Sequence, residues 1–281
     1  MKKIILIWDF DGAIGLINAS YPYNFNFANL KREQDQVRDV LDILDKYNVK
    51  CCFAITGFSA EEGVQPYTFP KLIKEIYDRG HEVASHSWRH EWSSIFQLNQ
   101  VDKSLKRSKL SLEKAIGQEQ EVIGFVPPHN RPMSWLKRGA FSLGDRGIYP
   151  FFKAADNESI ITLLKKNHYK WNRVSYKTLF QKLFNVKRNP SGRVINYKGI
   201  TVLENHYTGF DDFIVQHILS TDYPTYTISA HPLMLDFPNK KESMSNFKQF
   251  MQQLSNSDQD IEFVRPKDFV SQESESSEFK S

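Results

Sequence analysis

MKKIILIWDFDG, residues 1–12, carries a near-continuous apolar run over Lys3–Trp8 and then breaks at once into two aspartates. Such a run is the pattern of a strand buried on both faces, as in a parallel sheet covered by helices. It is too short for the apolar segment of a secretory leader and leads to no small-residue cleavage site, so cytoplasmic residence is the default expectation. Alternation along a strand puts Asp9 and Asp11 on one side. Two carboxylates that close repel each other unless a cation or a shared proton lies between them. The plainer reading makes one a turn cap and leaves the other solvated.

Working outward from this strand, β-like runs alternate with helical periods, which argues for βαβ units. Apolar Val37, Val40, Leu41 and Leu44 recur at helical spacing within Asn29–Tyr47. Val49–Thr56 reads as a second strand, Phe69–Asp78 as a helix, Glu82–Ser85 as a third strand, Leu98–Ile116 as a long amphipathic helix and Glu121–Val126 as a fourth strand. Further strands are expected at Ile148–Phe152, Val194–Asn205, Thr225–Ala230 and Ile261–Val264, with helices at Asp211–Leu219 and Lys241–Leu254. The 281 residues exceed the usual domain of roughly 100–200, yet one α/β barrel absorbs them. The fold expected is α/β, a single distorted (β/α) TIM-like barrel of about seven parallel strands over residues 1–270. The Ser/Glu-rich remainder, 271–281, has almost nothing to bury and reads as a disordered tail.

Composition excludes other classes. Charged residues at 25% are ordinary for a soluble protein, and no stretch approaches the ~20 apolar residues that span a bilayer. The only cysteines, Cys51 and Cys52, are neighbours that point to opposite strand faces, so neither a disulfide framework nor a shared metal suits them; they read as core. Charge is uneven. Residues 159–203 contain ten Lys and Arg and no acid, interleaved with aromatics. Within this block Tyr176, Leu179, Phe180, Leu183 and Phe184 recur at helical spacing opposite Lys177 and Lys182. The ordinary reading is a barrel helix with a solvated basic face. The sharper one is peripheral contact with an anionic membrane surface through residues 165–193, or a grip on a lipid- or phosphate-linked saccharide. No nucleic-acid motif accompanies the charge.

Several strands end in chemically useful groups: Asp9 and Asp11, His86, Pro128-His129, His206 and His231. In parallel α/β barrels those ends share the catalytic face. His86 and His90, in HSWRH, are spaced to meet on one turn of helix or a tight loop. With a carboxylate from another strand they make a two-His, one-carboxylate set that leaves positions open for water and substrate.

VKCCFAITG (49–57), LIKEIYDRGHEVASHSWRH (72–90) and LEKAIGQEQEVIGFVPPHN (112–130) together resemble the polysaccharide deacetylase (NodB-like) family, also called carbohydrate esterase family 4. The most specific part is GHE-x-x-SH-x-x-x-H, and TISAHP (227–232) is similar to the family's late histidine motif. The resemblance implies a distorted barrel with a divalent metal, zinc first and cobalt, manganese or nickel as alternatives. It matches Asp9 to the general base, Asp11, His86 and His90 to the metal ligands, and His231 to the acid that protonates the leaving amine. Three departures stand out. Phe10 separates the aspartates, Val126 occupies the usual place of an arginine that braces the base, and the acidic and Trp partners of the late histidine have no counterpart. Arg131 or His129 is a candidate for the missing arginine. Pro128, His129, Arg131 and His206 are candidate substrate contacts, His206 otherwise being a loop histidine.

The activity implied is removal of an N-acetyl or N-formyl group from an amino sugar of a glycan or a lipid-linked precursor. Two rivals come from other classes. DFDG also opens haloacid-dehalogenase-like phosphatases, which would use Asp9 and Asp11 but have no role for HSWRH. A non-catalytic glycan-binding barrel would explain the missing motif partners.

Overall fold

The computed structural model describes residues 1–19, 27–91, 96–128, 157–174 and 192–270. The expected strand at Ile148–Phe152, the basic amphipathic helix around Lys177 and Lys182, the 271–281 tail and the candidates His129 and Arg131 lie outside them.

The first strand, β1, runs Lys2–Phe10, and Ile4 through Trp8 are wholly buried. It is followed by α1 (Gly12–Ala19), α2 (Phe27–Lys46), β2 (Cys52–Ile55), α3 (Pro70–Asp78), β3 (Glu82–Ser85), α4 (Leu98–Ile116) and β4 (Gly124–Phe125). Then come α5 (Asn157–Lys166), β5 (Trp171–Val174), β6 (Arg193–Tyr197), β7 (Ile200–Glu204), β8 (Tyr207–Thr208), α6 (Asp212–Ser220), β9 (Thr225–Ala230), α7 (Met244–Ser255) and β10 (Ile261–Phe263).

These strands form one sheet in the order β6-β7-β5-β4-β3-β2-β1-β9-β8. β2 takes one edge of β1 from Ile7 upward, and β10 pairs with its lower part, Lys2–Ile4. Every pairing is parallel except β6 with β7. A Cβ placed on Gly192, just before β6, would lie 3.2 Å from Thr227 Oγ1 of β9, so the β6 end of the sheet curls round towards β9. The result is the expected distorted α/β barrel. β10 is the last strand expected at Ile261–Val264, and the short β8 and the β6–β7 hairpin add to the expected strands.

The single strand expected over Val194–Asn205 is in fact that hairpin. Lys198 and Gly199 both take positive φ, 52° and 79°, and reverse the chain in two residues. Beside β8, three elements had no counterpart in the sequence reading. α1 carries two glycines, poor helix formers, and α5 and β5 fall in or beside the basic block.

Period-two alternation divides the core. Ile4, Leu6, Trp8 and Phe10 join the layer between sheet and helices, whereas Ile5, Ile7, Cys52, Ala54, Ala84 and Trp171 fill the barrel interior. Cys51 and Cys52 part to opposite faces as expected. Trp171 crosses the interior so closely that a Cβ on Gly124 would lie 2.2 Å from its ring; only glycine fits there. Among the described residues no helix is long and apolar enough to cross a membrane.

Candidate active site

The interior alternation continues past the apolar layer and there becomes polar. Ile5 and Ile7 are followed on the same face by Asp9 and Asp11, Ala84 by His86, and Trp171 by Arg173. The C-terminal strand ends thus converge on one mouth.

Asp11, His86 and His90 are all buried, and their ligand atoms lie within 4.8 Å of one another. Asp11 Oδ1 is 3.2 Å from His86 Nε2 and 3.4 Å from His90 Nε2. His86 Nδ1 is 2.7 Å from the Val126 carbonyl, which can only accept, so Nδ1 carries the proton and Nε2 turns a lone pair to the site. Burial pushes the Asp11 carboxyl up, but His90 and His86 outweigh it and hold it well below the usual carboxylate range.

HSWRH is a tight turn rather than helix, with Ser87 and His90 at φ near +63°. Such a backbone persists only where its surroundings impose it. Here Gly57 N–H and Phe58 N–H donate to the Ser87 and Trp88 carbonyls, and the buried Trp88 ring lies beneath the Arg107 guanidinium at 4.0 Å. Asp11 is anchored in turn by Thr56, whose hydroxyl donates to its carbonyl at 2.9 Å.

Asp9 lies beside this trio. Arg173 Nη2 donates to Asp9 Oδ2 at 2.5 Å, with the arginine wholly buried. Burial opposes the Asp9 charge, but Arg173, followed by His231 and His86, lowers its pKa. His231 Nε2 stands 3.7 Å from the same Asp9 oxygen, and its Nδ1 is 2.8 Å from Glu242 Oε2, which also accepts from the His231 backbone amide. Partial burial disfavours the imidazolium, yet Glu242 and Asp9 raise the pKa of His231 to about 10.

The structure thus brings together Asp9, Asp11, His86, His90 and His231. It supplies two residues that the sequence reading missed. Arg173, on β5, stands against Asp9 where Arg131 or His129 was expected, and Val126 contributes only its carbonyl. Glu242 is the acidic partner of His231. A trace of Arg173 exists in WNRV, where it shares a face with the buried Trp171. Glu242, in a polar NKKES loop, carries no local mark. The basic block is not one surface: Arg173 is internal, and Lys166 is paired with Asp102 at 2.5 Å. Pro128 is buried just beyond β4, and His206 is buried between β7 and β8, outside the Asp11–His86–His90 trio.

The family model for polysaccharide deacetylase matches residues 25–142. The peptidoglycan-N-acetylglucosamine deacetylase PgdA of Listeria monocytogenes is 31% identical over 93 residues, 33% of this chain and 17% of its own length. The peptidoglycan-N-acetylmuramic acid deacetylase PdaA of Bacillus subtilis is 26% identical over 110 residues, 39% of each chain. The matches therefore span well under half of these curated relatives. A crystal structure from Mycobacterium smegmatis, named for the polysaccharide deacetylases, superposes with a TM-score of 0.66 over 96% of this chain and 89% of its own. At 16% identity that likeness shows the fold. The family-model match contains both histidines of HSWRH but neither first-strand aspartate nor His231.

Proposed function

The chain belongs to the polysaccharide deacetylase family, and from that premise we propose that it is a metal-dependent hydrolase of N-acylated amino sugars. It removes an acetyl or formyl group from a glycan or a lipid-linked saccharide precursor. One observation carries the reading: a buried Asp11–His86–His90 trio lies beside an Asp9 that Arg173 braces and a His231 that Glu242 orients.

The donor set suits a divalent ion. One carboxylate and two imidazoles, one with its tautomer set by the Val126 carbonyl, match zinc best and also accept cobalt, manganese or nickel. Asp11, His86 and His90 would hold the ion, and it would supply Lewis acidity to the amide carbonyl and acidify the attacking water. Asp9, kept ionised by Arg173, accepts a proton from that water as its oxygen bonds to the acyl carbon. His231, protonated at neutral pH, donates from Nε2 to the leaving nitrogen as the C–N bond breaks. Its Nδ1–H stays on Glu242 and fixes the ring. Carboxylate and free amine are the products.

A phosphatase built on Asp9 and Asp11 leaves HSWRH and His231 without work. A non-catalytic barrel draws its support from Val126 and the missing motif partners; Arg173 stands in the bracing place and Glu242 in the acidic one, which leaves that reading only the Trp. A lipid- or phosphate-linked substrate, with contact to an anionic membrane through residues 165–193, rests on the charge pattern of the sequence. The deciding experiment is metal analysis of purified protein together with acetate and formate release from a panel of amino-sugar glycans. Stoichiometric metal with release of either acid supports the proposal; metal-free protein that releases neither overturns it.

A further inference from the structure

The HSWRH turn meets α4 along a line of polar contacts that the mechanism above does not use. Two serines of α4, Ser104 and Ser108, stand one helical turn apart beside the buried Val101, Leu105 and Leu112. Serine is a weaker helix former than alanine, and inside a helix its hydroxyl often turns back to a carbonyl four residues earlier. Here both hydroxyls reach off the helix. Ser108 donates to the Ser87 carbonyl at 3.0 Å, and Ser104 donates to Glu91 Oε2 at 3.1 Å. Ser104 also accepts from the Trp88 amide at 3.0 Å, and Glu91 Oε2 accepts from the Arg89 amide at 2.7 Å. One hydroxyl and one carboxylate oxygen, bonded to each other, thus take up two consecutive amides in the middle of the turn. The Glu91 amide donates back to Ser87 Oγ at 3.1 Å and closes the loop.

The placement matters because the two ends of this turn carry His86 and His90. Ser87 and His90 hold φ at 63° and 62°, a left-handed conformation that residues other than glycine keep only under outside constraint. Gly57 and Phe58 hold the turn by its carbonyls, and Ser104 with Glu91 holds it by its amides. If the Trp88 and Arg89 amides were released, the chain between the histidines could relax and carry His90 Nε2 away from Asp11 and His86. We propose that Ser104 and Glu91 are positioning residues, a clasp that acts through the turn backbone to keep His90 in the geometry that binds a divalent cation. The inference rests on Asp11, His86 and His90 being the ligands.

The test uses the full chain, stripped of metal by chelation, as wild type, Ser104→Ala, Ser104→Thr, Glu91→Ala, the Ser104→Ala/Glu91→Ala double variant and Ser111→Ala. Zinc affinity is measured by competition with a chromophoric chelator, and thermal melting of the metal-free proteins shows that each is folded. Loss of an outer partner of a metal ligand typically costs 10–100-fold in affinity, so Ser104→Ala and Glu91→Ala should each bind zinc roughly 10–100-fold more weakly. The two act as one unit, so the double variant should bind about as weakly as the weaker single variant. Ser104→Thr keeps the hydroxyl and should stay near wild type. Ser111, on the same helix, donates to Glu61 and not to the turn, so Ser111→Ala should bind zinc as wild type does. Glu91→Ala lies outside α4 and decides the matter if Ser104→Ala does not fold. Wild-type zinc affinity in either folded variant, or an equal loss in Ser111→Ala, would overturn the clasp and leave the ligand assignment standing. A wild type that binds no zinc would overturn the ligand assignment and this inference with it.

Discussion

Arg173 Nη2 and Asp9 Oδ2 meet at 2.5 Å across the barrel interior, although 164 residues separate them and β2, β3 and β4 stand between their strands. Both side chains are almost fully buried, so each neutralises a charge that the interior could not otherwise hold. The pair fixes the orientation of Asp9 and keeps it ionised.

Removing the guanidinium should therefore be felt in stability as well as in turnover. Arg173→Met leaves Asp9 buried and uncompensated, which typically costs roughly 3–5 kcal/mol. Chemical denaturation should show that loss, and adding Asp9→Asn should recover part of it. If Arg173→Met unfolds at the same denaturant concentration as wild type, the pair is not the brace described here.

His231 depends on Glu242 for its proton. His231→Ala should lower kcat by roughly 10²–10⁴-fold with metal content unchanged. Glu242→Gln removes the charge that raises the pKa of His231 to about 10, so the imidazole should lose its proton at lower pH. The alkaline limb of the kcat profile should move down accordingly. An unshifted limb would separate Glu242 from the general acid.

Asp9 and Asp11, two residues apart, should behave differently. Asp11→Ala, His86→Ala and His90→Ala should each lose metal, because two remaining ligands seldom hold a divalent ion tightly. Asp9→Asn should keep the metal and lose most turnover. Metal content and activity on acylated amino sugars and on phosphate esters distinguish the readings. A phosphorylated Asp9, or full activity in His86→Ala, would favour the phosphatase.

Glu82, at the start of β3, lies buried at the barrel floor, where it accepts from Trp171 Nε1 and the Lys267 amide, each at 2.8 Å. Burial outweighs these bonds and raises its pKa to about 7, above the ordinary 4.5. A raised carboxyl pKa contributes stability that is fully present below pH 4.5 and lost as pH rises through 7. The loss is on the order of 3 kcal/mol. Glu82→Gln should flatten the pH dependence of denaturation between pH 4.5 and 7; a slope identical to wild type would refute the assignment.

Local sequence was enough for the barrel and for half of the site. The first strand shows itself because burial on both faces leaves no room for polar residues among Ile4–Trp8. Asp9 with Asp11, and His86 with His90, show themselves because each pair shares one strand end or one turn, so spacing alone implies proximity. Arg173 and Glu242 had no such spacing to reveal them. Arg173 is one of ten basic residues in an acid-free stretch, and only the closing of β5 into the barrel turns it from a surface charge into the partner of Asp9. Glu242 reaches His231 through the chain reversal before α7. These two are contacts between elements distant or reversed along the chain, and the curvature of the sheet and the seating of its helices decide them.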